Sequence, residues 1–99
     1  MPAKRIALAA ALLLSWCVGA GAQSPEAPPG AASCSGCHPA STGVQTPVPR
    51  LAGRDASEML RQMQAFRSGE LKATVMNKIA HGYTDPEIQA IAAWFAAQR

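Results

Sequence analysis

An all-α fold follows from three features of the sequence. Apolar residues recur at helical spacing in two stretches, Met59, Leu60, Met63 and Phe66, then Ile88, Ile91, Ala92 and Phe95. Each stretch is preceded by a capping-box pattern, Asp55 with Glu58 and Thr84 with Glu87. No stretch alternates apolar and polar residues with period two, as a half-buried strand does.

Taken in chain order, residues 1–22 read as a cleaved secretory signal. Lys4 and Arg5 form a positive start, Ile6 to Trp16 an apolar run, and Ala20-Gly21-Ala22 a small-x-small cleavage site. The run of about 11 residues falls short of the roughly 20 that a membrane-spanning helix needs. An uncleaved anchor and lipoprotein processing at Cys17 are the alternatives. Trp16 argues against the second, because such sites resemble one another in having a small residue before the modified cysteine. Cleavage between Ala22 and Gln23 removes 22 of 99 residues, sends the remaining 77 to the periplasm and leaves no membrane span in them.

Residues 23–32 hold three prolines and a glycine and read as a flexible lead-in with one helical turn entering Cys34. The domain proper is then 33–99. Residues 39–54 form a long aperiodic loop, of a kind usually functional or wrapped on something. Asp55 opens a helix that Gly69 ends as its C′ residue. A short helix spans Val75 to His81, stopped by Gly82. Thr84 opens the last helix, with Pro86 in its first turn, where a missing N–H does no harm. Trp94 flanks its apolar stripe.

Composition excludes several functions. Without Lys4 and Arg5 the chain carries seven basic against six acidic residues, too few for a nucleic-acid-binding surface. With two histidines no Ser/His/Asp set is plausible, and no glycine-rich phosphate cradle occurs. Only 5% of residues are aromatic, and helices this short are marginal alone. A chain of this size usually needs a staple.

Cys34-Ser35-Gly36-Cys37-His38 supplies one. C-x-x-C-H is the attachment sequence of haem c. On a helical turn the thiols at i and i+3 share a face and can each form a thioether with a vinyl group, while the next residue presents an imidazole to the iron. A thioredoxin-like pair needs a βαβ context that is missing. A disulfide across so short a loop removes little chain entropy and leaves His38 unexplained. Zinc lacks a second ligand pair. Met59, Met63, Met76 and His81 are the candidates for the sixth iron position, the first two also serving as ordinary core.

Around this motif the chain resembles the class I cytochromes c. The resemblance covers nearly all of residues 33–98 and is carried by CSGCH, by P-x-L-x-G at Pro49, Leu51 and Gly53, by A-F-R-S-G-E at 65–70, and by the tail from Val75 to Ala96. The tail is similar to that of the cytochrome subunits of flavocytochrome c sulfide dehydrogenases. The resemblance implies a small fold of short helices wrapped around one haem bound covalently through Cys34 and Cys37. It also implies iron ligation by His38 and Met76, a Pro49 carbonyl holding the other ring nitrogen of His38, and haem packing by Leu51, Ile79, Tyr83 and Trp94. The implied function is single-electron transfer from a flavoprotein partner that oxidises sulfide to a soluble or membrane acceptor. A free-standing electron shuttle and the haem subunit of another periplasmic dehydrogenase are the alternatives. The N-terminal helix usual in the family is barely present, since Pro28, Pro29 and Gly30 stand where it is expected.

Overall fold

The computed structural model describes residues 26–41 and 43–98. The expected signal segment 1–22, Cys17 included, lies outside them, as do residues 23–25 of the lead-in. The described residues form four α-helices and no strand: α1 (Ala31–Ser35), α2 (Ala56–Ser68), α3 (Met76–Ile79) and α4 (Asp85–Ala97), with a 3₁₀ turn (Ala80–Gly82) after α3. No helix among them is long and apolar enough to cross a membrane.

Ahead of Cys34 the described residues form a turn and then α1. Pro28 to Ala31 form a turn in which the Ala31 N–H donates to the Pro28 carbonyl over 3.1 Å, and Gly30 takes φ 91°, ψ −21°. Proline followed by a left-handed glycine is the signature of a type II turn. The turn delivers Ala31, fully buried, at the start of α1.

In α2, the Asp55 carboxylate accepts from the Glu58 N–H over 2.8 Å. The expected capping box is only half made. Glu58 turns its carboxylate to the side chains of Arg54 (3.4 Å), just ahead of the helix, and Gln62 (3.3 Å), one turn along it, and does not reach back to the Asp55 N–H. In α4 both halves are present: Thr84 Oγ accepts from the Glu87 N–H, and the Glu87 carboxylate accepts from the Thr84 N–H over 2.8 Å. The expected single helix from Val75 to His81 is shorter and divided. Val75 is its cap, four residues are α-helical, and the chain tightens to 3₁₀ before Tyr83 returns to extended backbone.

α2 packs chiefly against α4. Ile88, Ile91, Ala92 and Phe95 are buried on α4, and Met59 meets Ile91, Ala92 and Phe95 from α2. Trp94 stands edge-on to Phe95, ring centroids 4.9 Å apart at 78°. Arg67 ties the C-terminal turn of α2 to the next segment. Its guanidinium donates to the Tyr83 carbonyl (2.8 Å), the Ala80 carbonyl (3.3 Å) and the Asp85 carboxylate (2.8 Å), where Gln64 adds a bond of 3.0 Å. These bonds hold the 3₁₀ turn and the start of α4 against α2. The Gly53 N–H donates to the Phe95 carbonyl over 3.0 Å, which pins the end of the 39–54 loop to α4. Of the seven buried apolar residues described, Ala31, Ala80 and Ala92 are alanines, and the four large ones, Met59, Ile88, Ile91 and Phe95, all border an open space.

Candidate haem-binding cavity

That space is a cavity of about 730 Å³, within the range of pockets that enclose a cofactor. Its walls come from every part of the fold: Cys34, Cys37 and His38 around α1, residues 47–49 and Leu51 from the long loop, Met59, Met63 and Phe66 from α2, residues 73–76 and Ile79 around α3, Tyr83, and the apolar face of α4. The later part of the loop, residues 47–49 with Leu51 and Arg54, thus covers one side of the cavity, and apolar side chains make up most of the lining.

The turn that carries the thiols has a defined geometry. The Cys34 N–H donates to the Gly30 carbonyl (3.1 Å), and the Cys34 carbonyl accepts from the N–H groups of Cys37 (3.2 Å) and His38 (2.8 Å). This winding puts both sulfur-bearing residues and His38 on the same wall. Cys34 is half-buried and Cys37 exposed. Burial pushes the Cys34 thiol above its ordinary range, partly offset by a backbone hydrogen bond, so the site favours a neutral sulfur over a thiolate.

His38 is buried, and its Nδ1 lies 2.5 Å from the Pro49 carbonyl oxygen. A carbonyl can only accept, so Nδ1 carries the proton and donates it, which leaves the Nε2 lone pair free. An imidazole oriented through its other nitrogen is the usual arrangement of a metal-bound histidine. An apolar chamber, two cysteines on its wall and an imidazole with a free lone pair together fit an iron porphyrin. The polar groups of the lining that bear on charge are Arg54 and Gln62, both bonded to Glu58; Arg54 is the single cation among the described lining residues.

Most of the sequence-assigned residues meet here. Cys34, Cys37, His38, Pro49, Leu51, Met76, Ile79 and Tyr83 all line the cavity. Trp94 is not among the lining residues: it stands edge-on beside Phe95, while Ile88, Ile91, Ala92 and Phe95 of α4 line the cavity. His81 is exposed and also outside the lining, while Met59 and Met63 line it together with Met76. The sequence reading missed Val48, Leu71 and Val75 as lining residues. Their signal was apolar side chains in stretches with no helical partner, and Leu71 and Val75 remain 40% and 55% exposed.

Comparison with known proteins agrees with the geometry. No family model matches the chain. It is 31% identical over 70 residues to cytochrome c-554(548) of Halomonas halodenitrificans, covering 67% of this chain and 84% of that one. It is 33% identical over 63 residues to the cytochrome subunit of sulfide dehydrogenase of Chlorobaculum tepidum, covering 64% of this chain and 57% of the relative. It is 40% identical over 67 residues to the thiosulfate dehydrogenase electron acceptor of Stutzerimonas stutzeri, again over 64% of this chain but 31% of the relative. The chain thus spans about a third of the length of the last protein and somewhat over half that of the sulfide dehydrogenase subunit.

Proposed function

The chain belongs to the class I cytochromes c, and on that premise we propose that it is a periplasmic haem subunit taking single electrons from a sulfide-oxidising flavoprotein and passing them to a soluble or membrane-bound acceptor. Its cofactor is one haem c, joined covalently through Cys34 and Cys37. When bound, that haem supplies a one-electron iron couple. Everything else is done by the chain.

The observation that carries the haem part of this reading is the His38–Pro49 hydrogen bond, which frees Nε2 as the donor to iron, and the similarity to a sulfide dehydrogenase cytochrome subunit supports the choice of partner. Met76 is the second donor in this reading. A thioether is a soft, weak ligand that favours Fe(II), so His/Met ligation sets a higher potential than a pair of histidines, and it closes the iron to oxygen chemistry. Leu51, Ile79 and Tyr83 exclude water from the ring. Arg54, with Gln62, is where a haem carboxylate would meet a positive charge. Leu71, Val75 and Ile79 line the cavity and are also exposed, so they form its apolar mouth. Lys72 and Lys78 lie beside it, both exposed and neither ion-paired among the described residues. An apolar mouth on a chain with nearly balanced charge suits a lasting interface better than long-range steering. Export rests on residues 1–22.

Two observations favour other readings. The chain covers 84% of the Halomonas cytochrome, as a free-standing shuttle of similar size would. The similarity to a thiosulfate dehydrogenase electron acceptor points to another dehydrogenase as donor. Purification from the native host, followed by haem and flavin absorbance, separates the three. Co-elution with a flavoprotein that reduces the haem on addition of sulfide supports the subunit reading, and a lone monomer without flavin refutes it. A partner that responds to thiosulfate instead supports the third reading.

A further inference from the structure

We infer that Gly30 is a positioning residue for the haem, seating the Tyr83 ring as part of the cavity wall. Three observations meet at this glycine. Its φ of 91° is one that L side chains rarely adopt. A Cβ placed on it would stand 2.8 Å from Cε1 of Tyr83 and 3.0 Å from Cδ1 of Ile91. Its carbonyl accepts the N–H of Cys34, whose carbonyl in turn accepts that of His38. One backbone position thus touches the ring of Tyr83 on one side and is bonded to the haem-attachment turn on the other.

The two neighbours respond differently to a crowding atom. Cδ1 of Ile91 is the end of a flexible side chain and can rotate away. Tyr83 presents a rigid ring, and its main chain cannot retreat because its carbonyl is held by the Arg67 guanidinium at 2.8 Å. Its ring can move only by swinging about its side-chain bonds, and it lines the cavity. A side chain at position 30 therefore displaces a wall of the haem site. The turn at residues 28–31 makes this contact through backbone alone.

Gly69 provides the control. Its φ is 84°, yet nothing lies within 4 Å of the Cβ position. Gly69→Ala imposes the backbone strain alone, whereas Gly30→Ala adds displacement of Tyr83. A displaced ring would open the cavity wall to water, and around a haem bound there water would favour the more highly charged oxidised iron and lower the midpoint potential.

The inference rests on haem occupying the cavity and is independent of the partner's identity. The test is spectroelectrochemistry of the haem-loaded wild-type, Gly30→Ala, Gly69→Ala, Tyr83→Leu and Gly30→Ala/Tyr83→Leu proteins. Gly30→Ala is expected to shift the reduction equilibrium about threefold or more toward the oxidised form, about 28 mV for one electron. Gly69→Ala leaves it unchanged. With leucine at position 83 there is no ring to displace, so adding Gly30→Ala moves the potential no further, a comparison that remains available if Gly30→Ala alone fails to load haem. Equal shifts from Gly30→Ala and Gly69→Ala, or the same shift from Gly30→Ala in both backgrounds, overturn the inference. A wild-type chain exported without haem overturns the haem reading itself.

Discussion

His38 donates its Nδ1 proton to the carbonyl of Pro49 over 2.5 Å, and this bond joins the haem-attachment turn to the loop that wraps the cavity. The proline carbonyl belongs to the backbone, so no side-chain exchange at 49 removes it. The loop fixes the imidazole tautomer while closing one side of the chamber.

The complementary ligand is tested at Met76. Met76→Ala is expected to abolish the weak red absorption band of a methionine–Fe(III) bond and to lower the midpoint potential. An unchanged spectrum would transfer the role to Met63 or Met59, which line the same cavity, or to His81 after movement of its segment.

Trp94 gives a contrasting case. Because it backs Phe95 and does not line the cavity, Trp94→Phe should lower stability while leaving the haem spectrum and potential unaltered. Phe95→Ala empties a fully buried site and should cost about 3–5 kcal/mol in denaturant unfolding. A spectral change on Trp94→Phe comparable to that of Met76→Ala would contradict this placement.

Arg67 holds the segment that leads from Met76 to α4. Replacing it with methionine keeps much of the stem but removes the guanidinium bonds to Ala80, Tyr83 and Asp85, leaving Gln64 alone on the Asp85 carboxylate, and should destabilise the fold by about 1–3 kcal/mol in urea unfolding.

The same network sets a pH dependence. Hydrogen bonds from Arg67, then from Gln64, hold the Asp85 carboxyl below its ordinary range. A carboxyl depressed in the folded state contributes stability that is fully present above its unfolded value, about 3.9, and is lost as pH falls through the lower folded value. Wild type should lose this contribution on acidification below about pH 4, and Asp85→Asn should not. Asp55, depressed mainly by the Ser57 hydroxyl and the Glu58 N–H, adds a contribution in the same window that Asp85→Asn leaves in place. Parallel stability profiles for wild type and Asp85→Asn across that window would refute the coupling.

The caps and apolar stripes of α2 and α4 were legible in the sequence because they are local: Asp55, Thr84, Gly69 and the residues around Ile88 and Phe95 need only their neighbours in the chain. The chemistry of the site was legible at Cys34, Cys37 and His38, whose spacing is their function. What the sequence hid was tertiary. Glu58 completes a capping box on paper, but Arg54 and Gln62 compete for its carboxylate. Trp94 and Phe95 are adjacent aromatic residues, and only the packing of α4 on α2 decides which one faces the cavity. Pro28-Pro29-Gly30 reads as a helix breaker, while its turn geometry and contact with Tyr83 depend on a residue more than fifty positions away.

The most direct test of the account is the denaturing mass of the chain recovered from the periplasm of a host that attaches haem c. The account predicts the peptide from Gln23 to Arg99 plus one haem, retained after reduction and acid extraction and absent from a Cys34→Ser/Cys37→Ser variant. The bare peptide mass for the wild-type chain would contradict it.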